Sequence, residues 1–220
     1  MTHHSSYASY STHYPALLQR IDASHASDPH LELDTATGQQ QPKESLYAQR
    51  MANMLTRFSP EASEAVHISV RAQHIQRWMI PRSDFPMTTL GYKQWRARLY
   101  KYHADVTGEL MHQVGYDDDA IAQVKAIVGK RGIKVNPEAQ LLEDVASLVF
   151  LEHYLVNFVA AHPEYDAEKW QGILRKTWVK MSERGQSFAL TKIHLPVHLR
   201  SLILSATQGD SPLRNDSDAG

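Results

Sequence analysis

The sequence predicts an all-α fold, a single irregular helical bundle, on three observations. Apolar residues recur every three or four positions along most of the chain, no stretch alternates convincingly with period two, and Pro and Gly fall between the periodic segments. Residues 1–12 read as a disordered leader, 13–205 as one helical domain and 206–220 as a disordered tail.

The elements follow in order. Tyr14 to Ala26 carries Leu17, Leu18 and Ile21 at helical spacing. Ser27 to Pro42 is rich in polar residues, Pro and Gly and reads as a loop. A second helix spans Lys43 to Phe58. Ser59-Pro60 has the form of an N-cap followed by a first-turn proline, so a third helix is expected from there to Trp78. The two prolines of MIPRSDFPMTT mark a connecting loop. A long fourth helix runs from Gly91 to Val114 and is closed by Gly115. Asp117 caps a short fifth helix reaching Lys130. Asn136-Pro137 opens the sixth and most apolar helix, which ends near His162. Asp166 to Met181 forms a seventh, and Ser182 and Pro196 are candidate starts for short C-terminal helices.

Composition narrows the function. With 42% hydrophobic and 21% charged residues the chain can build an ordinary core. Its net charge of -1 excludes coating nucleic acid by bulk charge, so any basic patch must be local. The absence of cysteine removes disulfides, thiolate metal sites and a cysteine nucleophile, leaving His, Asp and Glu to hold any metal. No apolar run reads as a membrane span, and the N-terminal residues lack the basic and apolar regions of a secretory signal. The expectation is therefore a cytoplasmic protein without a membrane partner.

Four polar residues fall on apolar stripes. Glu44 aligns with Tyr47, Met51 and Leu55; His74 with Val66 and Val70; His103 with Trp95, Leu99 and Val106; Asp144 with Leu141, Leu148 and Leu151. Buried carboxylates need a partner. Two acids and two imidazoles from four helices could satisfy one another around one divalent cation (Fe, Mn, Zn, Ni or Co). Glu44, His74 and Asp144 are the expected ligands, with His103 as fourth ligand or proton donor. The alternative is structural: Glu44 beside a helix start, a core histidine donating to a carbonyl, Asp144 paired with an arginine.

The blocks PKESLYAQRM, RAQHIQRWMIPRSDFP, GYKQWR, YHADVTGELM, LEDVASLVFLE and ILRKTWVKMS resemble, in that order, an uncharacterised domain-of-unknown-function family of bacteria and fungi. A more distant resemblance is to the HD-domain metal-dependent phosphohydrolases, which implies an HD-like helical bundle. It aligns His74 with the histidine of the HD step, His103 with a later histidine and Asp144 with the last aspartate. Ile75 stands where the HD aspartate would be and Glu44 where the first histidine would be, which points away from two metals. Some fungal members carry the label glutamyl-tRNA synthetase. Lys180-Met181-Ser182 and His74-Ile75 do resemble halves of the synthetase signatures, but those belong to a nucleotide-binding α/β domain that this chain does not predict.

Arg71, Arg77, Arg82, Arg96, Arg98 and Lys101 crowd around the Ile80-Pro81 loop. Arginine forks grip phosphate or carboxylate, so Arg71, Arg77 and Arg82 are the expected holders of a small anionic substrate. The expectation is a metal-dependent hydrolase of a small phosphorylated or nucleotide-like substrate. A second basic set, Arg175, Lys176, Lys180 and Arg184, sustains the alternative of a non-catalytic helical module that binds RNA or another anionic partner.

Overall fold

The computed structural model describes residues 10–133, 135–196, 200, 201 and 203. The tail expected over 206–220 and most of the leader expected over 1–12 lie outside the described residues. Tyr10 is described and stacks on Tyr14 with ring centroids 4.5 Å apart. Among the described residues the regular structure is helical apart from one two-stranded sheet, and the chain divides into two compact units at Ala146/Ser147.

In the first unit, α1 (Tyr14–Ala26) starts on Pro15 and buries Leu17, Ile21 and His25 along one face. The segment expected as a loop holds an antiparallel hairpin, β1 (Leu31–Asp34) paired with β2 (Gln39–Pro42). Asp34 builds its turn. Its backbone carbonyl accepts from Gly38 N–H at 2.8 Å and its carboxylate from the Thr37 hydroxyl at 2.8 Å, with Gly38 at φ +72. The strands escaped the sequence reading because LELD and QQQP have no fully buried face, so no alternation marks them.

The hairpin delivers the chain to α2 (Lys43–Phe58). This helix has no cap of its own, since Pro42 precedes it. Instead the buried Asp28 carboxylate accepts the Glu44 N–H at 3.0 Å.

The third helix differs from expectation at both ends. Ser59 closes α2, its N–H donating to the Leu55 carbonyl at 2.7 Å. Ser63 caps α3 (Glu64–Ala72), its hydroxyl accepting from Val66 N–H at 3.3 Å. The helix stops at Ala72, six residues before Trp78. Gln76 turns into the left-handed region (φ +50), held by the Ser24 hydroxyl and the Tyr102 hydroxyl. Short 3-10 turns at Arg77–Met79 and Arg82–Asp84 carry the proline loop.

Then come α4 (Thr89–Val114), capped by Thr88 and closed by Gly115 at φ +96, and α5 (Asp118–Val128), capped by Asp117. The start of α6 (Pro137–Val149) is capped by the Asn136 side chain, which accepts from Glu138 and Ala139 N–H. α4 packs on α5, α3 lies on α2 and α5, and α1 touches α2, α3 and α4. Leu17, Ile21, Met51, Leu55, Ile68 and Met111 are among the fully buried side chains of this core.

The second unit takes the chain through a π-turn (Phe150–Tyr154) into α7 (Leu155–Ala161), α8 (Ala167–Trp178) and α9 (Glu183–Thr191). Asp166 and Ser182 cap the last two. Phe158 anchors it, edge-on to Phe150, His162 and Trp170 at centroid distances of 5.9, 4.8 and 5.6 Å. Lys180-Met181-Ser182 is the α8–α9 junction. No parallel sheet exists among the described residues for a nucleotide-binding signature to serve.

One stretch, Pro137–Ala161, is long and apolar enough to cross a membrane by length and composition, contrary to the sequence reading. Three buried groups lie within it, Glu143, Asp144 and Ser147, a pattern common in core helices.

Candidate functional site

Three of the four stripe residues meet in the first unit. Glu44 enters from the first turn of α2, His74 from the turn after α3 and His103 from the middle of α4. His74 Nδ1 lies 3.1 Å from Glu44 Oε2, and Arg77 Nη1 lies 3.1 Å from His74 Nε2. A guanidinium only donates, so Nε2 must present its lone pair and Nδ1 must carry the proton it gives to Glu44. His74 is thereby fixed as one neutral tautomer, with its base nitrogen facing a cation. Its ring stacks on Tyr47, one turn beyond Glu44, with centroids 4.0 Å apart and planes at 11°. About a fifth of the side chain (21%) stays exposed, so solvent reaches one edge.

The electrostatics agree with a neutral ring. Burial first, and then the charges of Arg77, Lys130 and Arg96, hold His74 well below its ordinary basicity. Burial raises the Glu44 carboxyl, and Arg77 acts against that rise.

His103 sits 6.0 Å from His74, ring centroid to ring centroid. Its Nδ1–H donates to the Ile75 carbonyl at 2.7 Å, and burial presses its pKa down to about 3. Its Nε2 is buried without a hydrogen-bond partner. Ile75 therefore contributes to the site through its backbone, while its side chain is fully buried.

The expected arginines separate. Arg77 belongs to the site and lies over the Trp95 ring at 4.8 Å. Arg71 Nε pairs with Asp22 at 2.7 Å. Arg82 ties the proline loop, donating to the carbonyls of Phe85 and Pro86 at 2.9 and 2.8 Å. Asp144 is buried on α6 and accepts from Gln140 in its own helix at 3.1 Å. Among the described residues, no three His, Asp or Glu side chains are grouped to hold a metal. Arg175 and Lys176, of the second basic set, are exposed in the last turn of α8.

His25 and Lys130 were missed from sequence, and Arg96 and Tyr47 were named there without a role at the site. His25 is fully buried on α1, donates Nε2–H to the Arg71 carbonyl at 2.9 Å, keeps an unpartnered Nδ1, and acts electrostatically on Glu44. Its signal was available: it follows Ile21 by four residues on the face that starts at Leu17. Arg96, named from sequence among the cations around the proline loop but not as a holder of the anion, lies over Tyr100 and Tyr92 at 5.0 and 5.8 Å. Lys130 forms a buried ion pair with Glu143, its ammonium 5.6 Å from the centre of the Tyr100 ring. Tyr47 was read only as part of an apolar stripe. Lys130 had no periodic signal, because it follows α5 in the left-handed region (φ +53).

The profile of a family described as a domain of unknown function (DUF4202) matches residues 16–203. No match was found among curated proteins or among solved structures.

Proposed function

The chain belongs to the DUF4202 family, and from that footing we propose that it hydrolyses a small phosphorylated or nucleotide-like substrate, with His74 as general base. The observation that carries the reading is the line Glu44–His74–Arg77. A carboxylate fixes the tautomer and stabilises the imidazolium that forms when the ring takes a proton. A phosphoryl group settling on Arg77 and Arg96 draws Arg77 from Nε2 and neutralises the charges that depress the ring. Water then adds to phosphorus, its proton passes to Nε2, and the bond to the leaving oxygen breaks, that oxygen taking the proton. The resemblance to HD phosphohydrolases supports the same class of substrate.

A divalent cation of the Fe, Mn, Zn, Ni or Co class is a second reading, favoured by the partnerless Nε2 of His103 beside His74. The two Nε2 atoms would be its nitrogen donors, with Glu44 behind His74 as the orienting carboxylate, and Asp144 is the further ligand expected from sequence. Such a cation would supply a bound water of lowered pKa and polarise the phosphoryl oxygen.

The test is phosphate release from a panel of small phosphomonoesters, phosphodiesters and nucleotides, with and without each metal. The reading predicts turnover that falls about a hundredfold or more in His74→Gln and in Arg77→Met. A panel without turnover by folded protein in any metal would remove it. Turnover only with metal selects the second reading.

A further inference from the structure

We propose that the outer face formed by the proline loop and the first half of α4 docks on an anionic lipid surface; the argument is independent of the His74 reading. Large apolar side chains concentrate there: Met79 is 60% exposed, Met87 81% and Leu90 66%. Met87 and Leu90 are three residues apart where the proline loop enters α4, and Met79 belongs to the same loop. The Ile80 carbonyl, next to Met79, accepts from the Trp95 indole at 2.9 Å, and Gly91 presses so closely on Pro86 that a Cβ would collide with its carbonyl. Arg82, bonded to the Phe85 and Pro86 carbonyls, holds Met87 outward on a fixed turn.

From Leu90 the helix continues with one exposed stripe, Lys93, Gln94, Ala97, Arg98 and Lys101, at steps of three and four. Lys93 and Arg98 make no ion pair among the described residues. Lys101 pairs with Asp105 at 2.5 Å. Residues 79–101 contain five cations (Arg82, Lys93, Arg96, Arg98, Lys101) and one acid (Asp84), in a chain of net charge -1. The charge of this face is thus local and complementary to an acidic surface.

The apolar component selects lipid over nucleic acid. Methionine and leucine side chains insert at the acyl boundary but offer no flat face for a base. Tyr92, at 44%, is the one exposed aromatic beside these three side chains, and the Arg96 guanidinium lies 5.8 Å from its ring centre and bonds its hydroxyl at 3.2 Å. Met79 and Met87 are exposed on the loop and Leu90, Lys93 and Arg98 on the adjoining face of α4, which suits a surface as occupant rather than a peptide segment.

The test is co-sedimentation of the full chain with vesicles of equal parts phosphatidylcholine and phosphatidylglycerol, against vesicles of phosphatidylcholine alone, at low ionic strength. The proposal predicts binding to the mixed vesicles and at least about tenfold weaker binding to the neutral ones. Met87→Ser with Leu90→Ser leaves every charge in place and lowers binding about tenfold or more. Lys93→Glu with Arg98→Glu abolishes it. Both variants alter exposed side chains, and their melting temperatures are measured on the same samples. Failure to bind mixed vesicles, or binding that the Met87/Leu90 pair leaves unchanged, overturns the proposal. So does binding to single-stranded RNA in place of vesicles.

Discussion

His103 shows what burial does to a single residue and how that is measured. Its imidazole is held to about pH 3 in the folded chain, against about 6.5 in an unfolded one. Above pH 6.5 it is neutral in both states and adds no pH dependence. As pH falls through 6.5 the unfolded chain takes up a proton that the folded chain refuses, so stability declines until about pH 3. His25, His67 and His74 are also held low by burial and add to the same slope, while the raised Glu44 carboxyl, protonated first in the folded state, opposes it. Chemical unfolding at pH 7.5 and pH 5.5 is predicted to show lower stability at the acid value. His103→Asn should reduce the dependence by up to about 1.4 kcal/mol per pH unit. A variant with the unaltered slope would show that His103 titrates normally in the fold. Arg77→Met is predicted to raise the His74 pKa, because Arg77 is the largest charge acting on that ring. Nitrogen NMR of the ring reads the shift, and an unmoved ring would place Arg77 outside the site.

Two elements hold the site through contacts outside regular structure. Asp28, at the end of α1, caps α2 through the Glu44 N–H, so the hairpin between them sets where Glu44 begins. Asp28→Ala leaves that buried donor without its partner and is predicted to cost about 1 to 3 kcal/mol in unfolding free energy, with Asp28→Asn milder. Gly91→Ala is predicted to destabilise by about 1 to 3 kcal/mol, since the new methyl meets the Pro86 backbone rather than a flexible side chain. A melting temperature equal to that of the parent would contradict the packing at either position. The same elements mark how far the sequence was legible. α1 and α2 were read to the residue, the cap Asp117 was found, and Asp166 and Ser182 were read as helix starts, because helical periodicity and capping chemistry are local. The hairpin was lost because its strands bury too little for a pattern to show. The end of α3 was lost because long-range bonds impose it: the Ile75 carbonyl goes to His103 and Gln76 to Ser24 and Tyr102. Helical spacing put Glu44 and His103 on inward faces, where they are buried, whereas His74 lies beyond the end of α3 and reaches Glu44 from a turn. The choice among arginines was illegible, since partners such as Asp22 for Arg71 lie 49 residues away.

At the scale of the whole molecule, the first unit sets three cations around the His74 imidazole. Arg77, Arg96 and Lys130 come from three segments far apart in sequence, and each lowers the basicity of His74. A small anion that binds there should stabilise the fold by mass action, by about 2.7 kcal/mol at a hundredfold excess over its dissociation constant. Thermal melting with pyrophosphate is predicted to show the rise in the parent and not in Arg77→Met. A rise that Arg77→Met retains would locate anion binding elsewhere. The most direct measurement of the central claim is nitrogen NMR of His74 at neutral pH, with and without pyrophosphate. The account predicts the neutral ring protonated on Nδ1 in the free protein, and an Nε2 resonance that moves as the anion takes Arg77. A charged His74 in the free protein, or an Nε2 resonance that stays fixed while pyrophosphate binds, would contradict it.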